Sequence, residues 1–206
     1  MPGDATTIRT FIAIDISETV RQSICRATAG LRVVADQEVK WVAPQNLHLT
    51  LKFLGETPAS KLDTIQQAMT VCAGRYGAFE VLPNGLGAFP TRGRLRVIWV
   101  GLQAPESLGA LATDLERALE PLGFPAEGRP FSPHLTIGRV RENASKTELA
   151  ALGMALNARR SEELTAFEVK AVTLYRSDLR PSGPIYTRLF SAPLTVYNHS
   201  EKNQTI

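Results

Sequence analysis

His48 and His134 each head nearly the same tetrapeptide, His-Leu-Thr followed by an aliphatic residue. The first lies in LHLTLKFLGE (Leu47 to Glu56) and the second in PHLTIGRVRE (Pro133 to Glu142). With 18 threonines among 206 residues, two given histidines would both carry threonine two places on in about one random chain in 130. The repetition therefore points to chemistry. In a strand, successive side chains alternate faces, so His48 and Thr50 share one face while Leu49 and Leu51 share the other. The same alternation sets His134 and Thr136 against Leu135 and Ile137. Each motif anchors its aliphatic face in a core and presents an imidazole and a hydroxyl on the opposite one.

Imidazole titrates near pH ~6.5, so at neutrality one copy can act as base and another as acid. In-line displacement at phosphorus brings the nucleophile in on one side and lets the leaving group depart on the other, so acid and base must stand on opposite walls of a cleft. Two similar strands in facing halves would supply that arrangement. Thr50 and Thr136 can each donate a hydrogen bond to a non-bridging phosphoryl oxygen, and an arginine can add a bidentate contact. Arg139 is the candidate arginine, but it stands five residues beyond His134 and reaches the same face only if the strand bulges.

Other designs fit less well. The sequence has no HExxH, no GxxxxGK[ST], no GxSxG and no carboxylate cluster suited to two-metal phosphoryl transfer. Two histidines leave a zinc site short of a third ligand unless Asp15 or Glu56 joins them. Neither a metal nor another cofactor is expected.

The elements that must hold these motifs can be read from periodicity and breakers. Ile8 to Ile16 reads as a buried strand, with Ser17 as the cap of a helix running to about Leu31. Lys40 to Ala43 and Leu47 to Leu54 read as strands around a Pro44-Gln45-Asn46 turn, and Ala59 to Ala73 as a helix. Strands follow at Phe79 to Leu82 and Leu95 to Leu102, separated by the Gly- and Arg-rich loop NGLGAFPTRGR. A helix is expected from Pro105 to Leu119, a strand from His134 to Val140 and a helix capped by Ser145. Strands at Phe167 to Tyr175 and Pro184 to Leu194 complete the pattern. One domain is expected over residues 8–196, with a flexible tail at 197–206. A weak internal duplication pairs Pro44 with Pro130, Asn46 with Ser132 and Glu56 with Glu142 when the two histidines are aligned.

The apolar fraction of 44% and charged fraction of 21% are those of a globular protein and exclude disordered or collagen-like classes. A net charge of +3 is a mild bias toward anionic ligands, unlike the dense basic tracts of duplex-coating proteins. Cys25 and Cys72 lack CxxC spacing, which suits reduced thiols in a cytoplasm. The stretch MPGDATTIRT has neither the basic nor the apolar region of a signal peptide, and no apolar run of ~18 residues occurs in the sequence. A cytoplasmic protein with no membrane association and no obligate protein partner is expected.

FIAID (Phe11 to Asp15), NLHLTLKFLGE (Asn46 to Glu56), GAFPTRGRLRVIWVGL (Gly87 to Leu102) and FSPHLTIGR (Phe131 to Arg139) together resemble the RNA 2′,3′-cyclic phosphodiesterases, also called 2′-5′ RNA ligases, of the two-histidine phosphoesterase superfamily. The resemblance covers most of Ile8 to Leu194. It implies an α+β fold that is bilobal and pseudo-two-fold symmetric, with two antiparallel sheets and flanking helices around a central cleft. It also implies hydrolysis of RNA 3′ ends bearing a 2′,3′-cyclic phosphate, or of nucleoside cyclic phosphates, to a 2′-phosphomonoester. His48 would be the proton donor to O3′, His134 the proton acceptor that activates water, and Thr50 and Thr136 the ligands of the phosphoryl oxygens. Attack by a 5′-hydroxyl instead of water would form a 2′-5′ linkage, with hydrolysis expected to dominate.

Among the aromatics, Phe131 is a candidate for stacking on a terminal base, Phe53 has the core-facing parity of its strand, and Phe89 and Trp99 read as core. Arg92, Arg94 and Arg96 read equally as a solvated edge or as RNA-backbone contacts, and His199 receives no role. Two rival functions are a non-catalytic RNA or nucleotide-binding module and an enzyme acting on a small cyclic phosphate such as ADP-ribose cyclic phosphate. Binding alone has no use for an acid-base couple, so the module is disfavoured.

Overall fold

In the computed structural model, which describes residues 6–91, 93–158, 164–181 and 183–195, the β-branched run near the start forms β1 (Thr7–Asp15) and leads into α1 (Glu18–Val34). Ser17 has an extended backbone and its hydroxyl accepts from the Val20 N–H at 3.3 Å, satisfying one of the free donors of the helix N-terminus. β2 (Val39–Trp41), a tight helical turn at Pro44–Asn46 and β3 (His48–Pro58) follow. Then come α2 (Leu62–Ala73), β4 (Phe79–Phe89), β5 (Val97–Gln103), α3 (Glu106–Leu119) and β6 (His134–Val140). α4 (Lys146–Ala158), β7 (Phe167–Val169), β8 (Ala171–Arg180) and β9 (Gly183–Pro193) complete the described chain. α4 opens with a reciprocal cap: the Glu148 N–H donates to Ser145 Oγ at 3.3 Å, and Glu148 Oε2 accepts from the Ser145 N–H at 2.6 Å.

The strands pair antiparallel in the order β7-β4-β5-β6-β3-β1-β8-β9, with β2 on β6. The expected α+β class holds, but the expectation of two separate sheets is corrected: the path is continuous. The two histidine-bearing strands are themselves neighbours, and Leu49 of β3 pairs with Leu135 of β6, so the edges that would have separated two sheets bond to each other. β4 also departs from expectation. It runs on through Asn84-Gly85-Leu86 to Phe89, because Gly85 at φ +71 and a register shift between Pro83 and Leu86 let the kinked strand resume pairing with β5. The Gly- and Arg-rich loop is correspondingly shorter. Within it, Arg94 donates to the carbonyls of Arg141 and Glu142, Arg96 is exposed, and Arg92 lies outside the described residues, as do His199 and the tail.

One face of the sheet carries Ile12, Ile14, Leu49, Leu51, Ile98, Val100, Leu135, Ile137, Val172 and Leu174, which join residues of all four helices in one hydrophobic cluster. The motif leucines are effectively inaccessible to water: Leu49 is 1% exposed and Leu135 0%. Burying a leucine contributes about 1.5–3 kcal/mol, so any slip that turned either motif over would lose several such terms at once. No described helix is long and apolar enough to cross a membrane.

Candidate active site

The Leu49–Leu135 pair fixes the relation between the two motifs. Extending that antiparallel register by one residue each way sets His48 across from Thr136 and Thr50 across from His134. The four polar side chains thus form a square on the face opposite the core, with the histidines on one diagonal. Diagonal neighbours across antiparallel strands stand about 7–8 Å apart, a separation that admits a phosphoryl group between their rings.

Both imidazoles are anchored in the same way. His48 Nδ1 lies 2.8 Å from the carbonyl of Asn46, and His134 Nδ1 lies 2.7 Å from the carbonyl of Ser132. A carbonyl only accepts, so each Nδ1 carries a proton and each Nε2 is the nitrogen left for chemistry. Neutral, that nitrogen is a base; protonated, it is an acid. The turn that offers the Asn46 carbonyl is itself braced, since Arg21 donates to Gln45 O at 3.1 Å and to Ile16 O at 3.0 Å. Asn46 Nδ2 also donates to Pro184 O at 2.9 Å, tying the turn to the β8–β9 hairpin.

Strand alternation breaks at the same place in both motifs. Leu51 and Lys52 are buried in succession where the β1–β3 register shifts, and Ile137 and Gly138 are buried in succession where the β5–β6 register shifts. These β-bulges turn the following residues over. Arg139 therefore reaches the polar face, which the sequence allowed only on condition of a bulge. The core-facing parity read for Phe53 is corrected by the same device: Phe53 is 56% exposed and lines the cavity.

A cavity of about 690 Å³ opens on this face, with His48, Thr50, Thr136 and Arg139 among its walls together with parts of β1, β2 and the β8–β9 hairpin. It lies on the His48 side of the pair. A second depression of about 410 Å³ shares His48, Asn46 and Tyr186 with it and adds Asp15, Arg21 and Arg188. The His48 ring packs on Phe11 at 4.8 Å between centroids and meets Tyr186 edge-on at 5.3 Å. Burial holds its pKa below the usual 6.5. The Asn46 carbonyl and the charge of Asp15 oppose that shift, while Arg21 adds to it. Asp15 is the hub behind the ring, accepting from Thr173 Oγ1 at 3.1 Å, from Arg188 at 2.8 Å and from the Tyr175 hydroxyl.

The sequence pattern of the 2′-5′ RNA ligase superfamily matches residues 20–181. The chain belongs to that superfamily. It is 37% identical over 180 residues to the RNA 2′,3′-cyclic phosphodiesterase of Methanothermobacter thermautotrophicus, covering 87% of this chain and 95% of that protein. The phosphodiesterase of the same name from Archaeoglobus fulgidus is 35% identical over 182 residues, 88% of this chain and 98% of the other. Among solved structures, a Thermus thermophilus protein superposes with a TM-score of 0.76 at 30% identity, covering 93% of this chain and 100% of that one. E. coli LigT complexed with 3′-AMP superposes with a TM-score of 0.71 at 28% identity, over 92% and 99% of the two chains. The expected membership is borne out, and with it the expectation of an enzyme of the cyclic phosphodiesterase group.

Not every residue expected at the site of this 2′-5′ RNA ligase superfamily member lies there. Phe131 lines a separate depression with Leu51, Ala112 and Glu116 and packs against the core, because the chain before β6 passes on the α3 side of the sheet. Phe89 and Trp99, read as core, instead stand on the polar face. Phe89 meets the His134 ring edge-on at 5.3 Å, and Trp99 backs Phe89 at 5.2 Å. Phe11, Tyr175 and Tyr186 draw no role from the sequence, and Asp15 draws one only as a possible third ligand of a metal. Only FIAID carried a trace of them, since it places Phe11 and Asp15 on alternate positions of β1.

Trp99 sits on Gly87, where an added Cβ would come within 2.4 Å of the indole. Gly87→Ala must displace Trp99 and with it the support of Phe89 and His134. A loss of roughly tenfold in turnover is expected, since angström-scale misplacement of a reacting group can cost up to about 10²-fold. Steady-state kinetics beside near-ultraviolet circular dichroism of the tryptophans check it.

Proposed function

We propose that this chain hydrolyses the terminal 2′,3′-cyclic phosphate of RNA to a 2′-phosphomonoester, with His48 and His134 as the proton-transferring pair and no metal ion in the step. The observation that carries the reading is the matched anchoring of the two rings, each Nδ1–H held by the carbonyl two residues upstream and each Nε2 left free. The relatives named RNA 2′,3′-cyclic phosphodiesterase and the binding of 3′-AMP by E. coli LigT support it. Two halves related by a pseudo-two-fold axis, meeting at Leu49 and Leu135, belong to the same reading.

His134 Nε2 accepts a proton from water as its oxygen attacks phosphorus. The P–O3′ bond opens on the far side, and His48 Nε2 gives its proton to O3′. The product carries a 2′-phosphate and a free 3′-hydroxyl. Thr50 and Thr136 donate to the non-bridging oxygens, with Arg139 alongside. The donor role is given to His48, as the resemblance of its motif to the cyclic phosphodiesterases implies. A 5′-hydroxyl in place of water would run the same steps to a 2′-5′ linkage. Water at its bulk concentration favours hydrolysis. Work on RNA ends inside the cell suits Cys25 and Cys72, both free thiols.

The test is a nucleoside 2′,3′-cyclic phosphate assayed with EDTA present and the product resolved by chromatography. A 2′-phosphate formed at an undiminished rate is expected. A 3′-phosphate product, or full loss of activity with chelator that added metal restores, overturns the mechanism.

A pH profile tests how His48 is tuned. Two histidines needed in opposite protonation states give a bell-shaped kcat/KM, and the lowered pKa of His48 puts its limb below pH 6.5. Asp15 raises that pKa, so Asp15→Asn removes a charge that favours imidazolium and should move the limb to still lower pH. A limb unmoved or displaced upward contradicts the electrostatic coupling.

A further inference from the structure

Only His48, Thr50, Thr136 and Arg139 among the cavity walls belong to the phosphoryl site; the rest of the cavity runs outward over β1, β2 and the β8–β9 hairpin. Its mouth gathers three of the large apolar side chains that the fold leaves in water: Phe53 at 56% exposure, Leu179 at 66% and Ile185 at 44%. Exposed apolar groups collected at one concave opening, rather than scattered, mark a contact surface. The same walls carry three exposed cations, Arg9, Lys40 and Arg139. Among the described residues none of the three has a carboxylate within ion-pair distance. Burial raises the pKa of Tyr186, which lines the same cavity, and the charges of Arg139 and Arg9 both oppose that rise. Rings link the mouth to the site, with Phe53 beside Phe11 at 6.2 Å and Phe11 against both His48 and Tyr186.

Uncompensated cations followed by an exposed aromatic ring are what a nucleic-acid strand meets on a stacking surface: a charge for the backbone, then a face for a base. The internal duplication sharpens the point. Phe53 and Arg139 occupy equivalent places, five residues after their histidines and just past equivalent bulges, yet one is aromatic and the other cationic. That difference gives an otherwise two-fold site a direction.

We propose that the outer cavity is a subsite for the nucleotide preceding the terminal one, with Arg9 and Lys40 on its phosphodiester and Phe53, flanked by Leu179 and Ile185, under its base. This rests on the phosphodiesterase reading above. It makes the preferred substrate a single-stranded RNA end of at least two nucleotides, because a base paired and stacked within a duplex has no free face for Phe53.

The experiment compares kcat/KM for a nucleoside 2′,3′-cyclic phosphate with that for the dinucleotide ending in the same group. Wild type, Phe53→Ala and Arg9→Gln are each measured on both substrates from one preparation. The ratio of the two values is independent of the active fraction. In wild type the dinucleotide should be favoured by about 5–150-fold, the range of one base–aromatic stack. Phe53→Ala should remove the stacking part of that ratio, lowering it by about 5-fold or more. Arg9→Gln should lower it and flatten the salt dependence of log kcat/KM by about 0.7, the slope that neutralising one phosphate of a single strand supplies. An abasic residue in the first position should imitate Phe53→Ala in wild type. A wild-type ratio near one, or a ratio that survives both substitutions, overturns the subsite. Failure of wild type to cleave either substrate counts against the phosphodiesterase reading instead.

Discussion

His48→Ala and His134→Ala should each lower kcat/KM on a nucleoside 2′,3′-cyclic phosphate by about 10²–10⁴-fold, the usual contribution of a positioned general acid or base. Both rings stand at the first residue of a strand, half-buried, with the following leucine holding the strand to the core, so neither truncation removes a core side chain. A substrate with sulfur in place of O3′ separates the roles. A thiolate departs without being protonated, so it should restore most of the loss in His48→Ala and little of the loss in His134→Ala. Rescue of the His134 variant alone would exchange donor and acceptor. Full activity in either variant on the ordinary substrate would remove that histidine from the chemistry.

The largest expected effect on stability lies away from the reacting atoms, at Lys52. Its side chain is 1% exposed, and its ammonium donates to Glu116 Oε2 at 2.7 Å and to Pro125 O at 2.9 Å. The same carboxylate oxygen accepts from the Glu127 N–H at 3.0 Å, so one ion pair fastens β3, α3 and the chain leading to β6. Glu116→Ala leaves a buried ammonium without its counter-charge, a change that costs about 3–5 kcal/mol. For a chain of this size the melting temperature should fall by roughly 6–20 °C. Denaturant unfolding of wild type, Glu116→Ala and the double variant Lys52→Met with Glu116→Leu checks the cause. The double variant should recover most of the loss, because apolar groups of similar volume need no counter-charge. A double variant as unstable as the single one would place the cost in packing.

Legibility differs sharply between residues of the same strand. His48, Thr50, Leu49 and Leu51 could be sorted by parity alone, since alternation holds from the strand start to the bulge. Phe53 could not, because the bulge at Leu51 and Lys52 inverts the parity beyond it. The buried lysine that marks the bulge looks from sequence like an ordinary polar position. Gly138 is the corresponding mark in β6: an added Cβ would lie 2.6 Å from Val39 Cγ1, so close packing of β2 accounts for the glycine. Phe131 misled for a related reason. Nearness in sequence to His134 says nothing about the side of the sheet on which the preceding loop runs. Phe89 erred the other way, as an aromatic in an apolar run that belongs to the polar face of the sheet.

The sequence by itself determined the paired His-Leu-Thr motifs, their division into a core face and a polar face, and the α+β class. Each of these depends on periodicity within a few residues of one segment. Only the tertiary structure decided that the two motif strands are direct neighbours in one sheet, that the bulges deliver Arg139 and Phe53 to the cavity, and that the cavity lies on the His48 side. These features depend on register between segments far apart in the chain, set by how the leucine faces and four helices pack together, and no local pattern encodes that register.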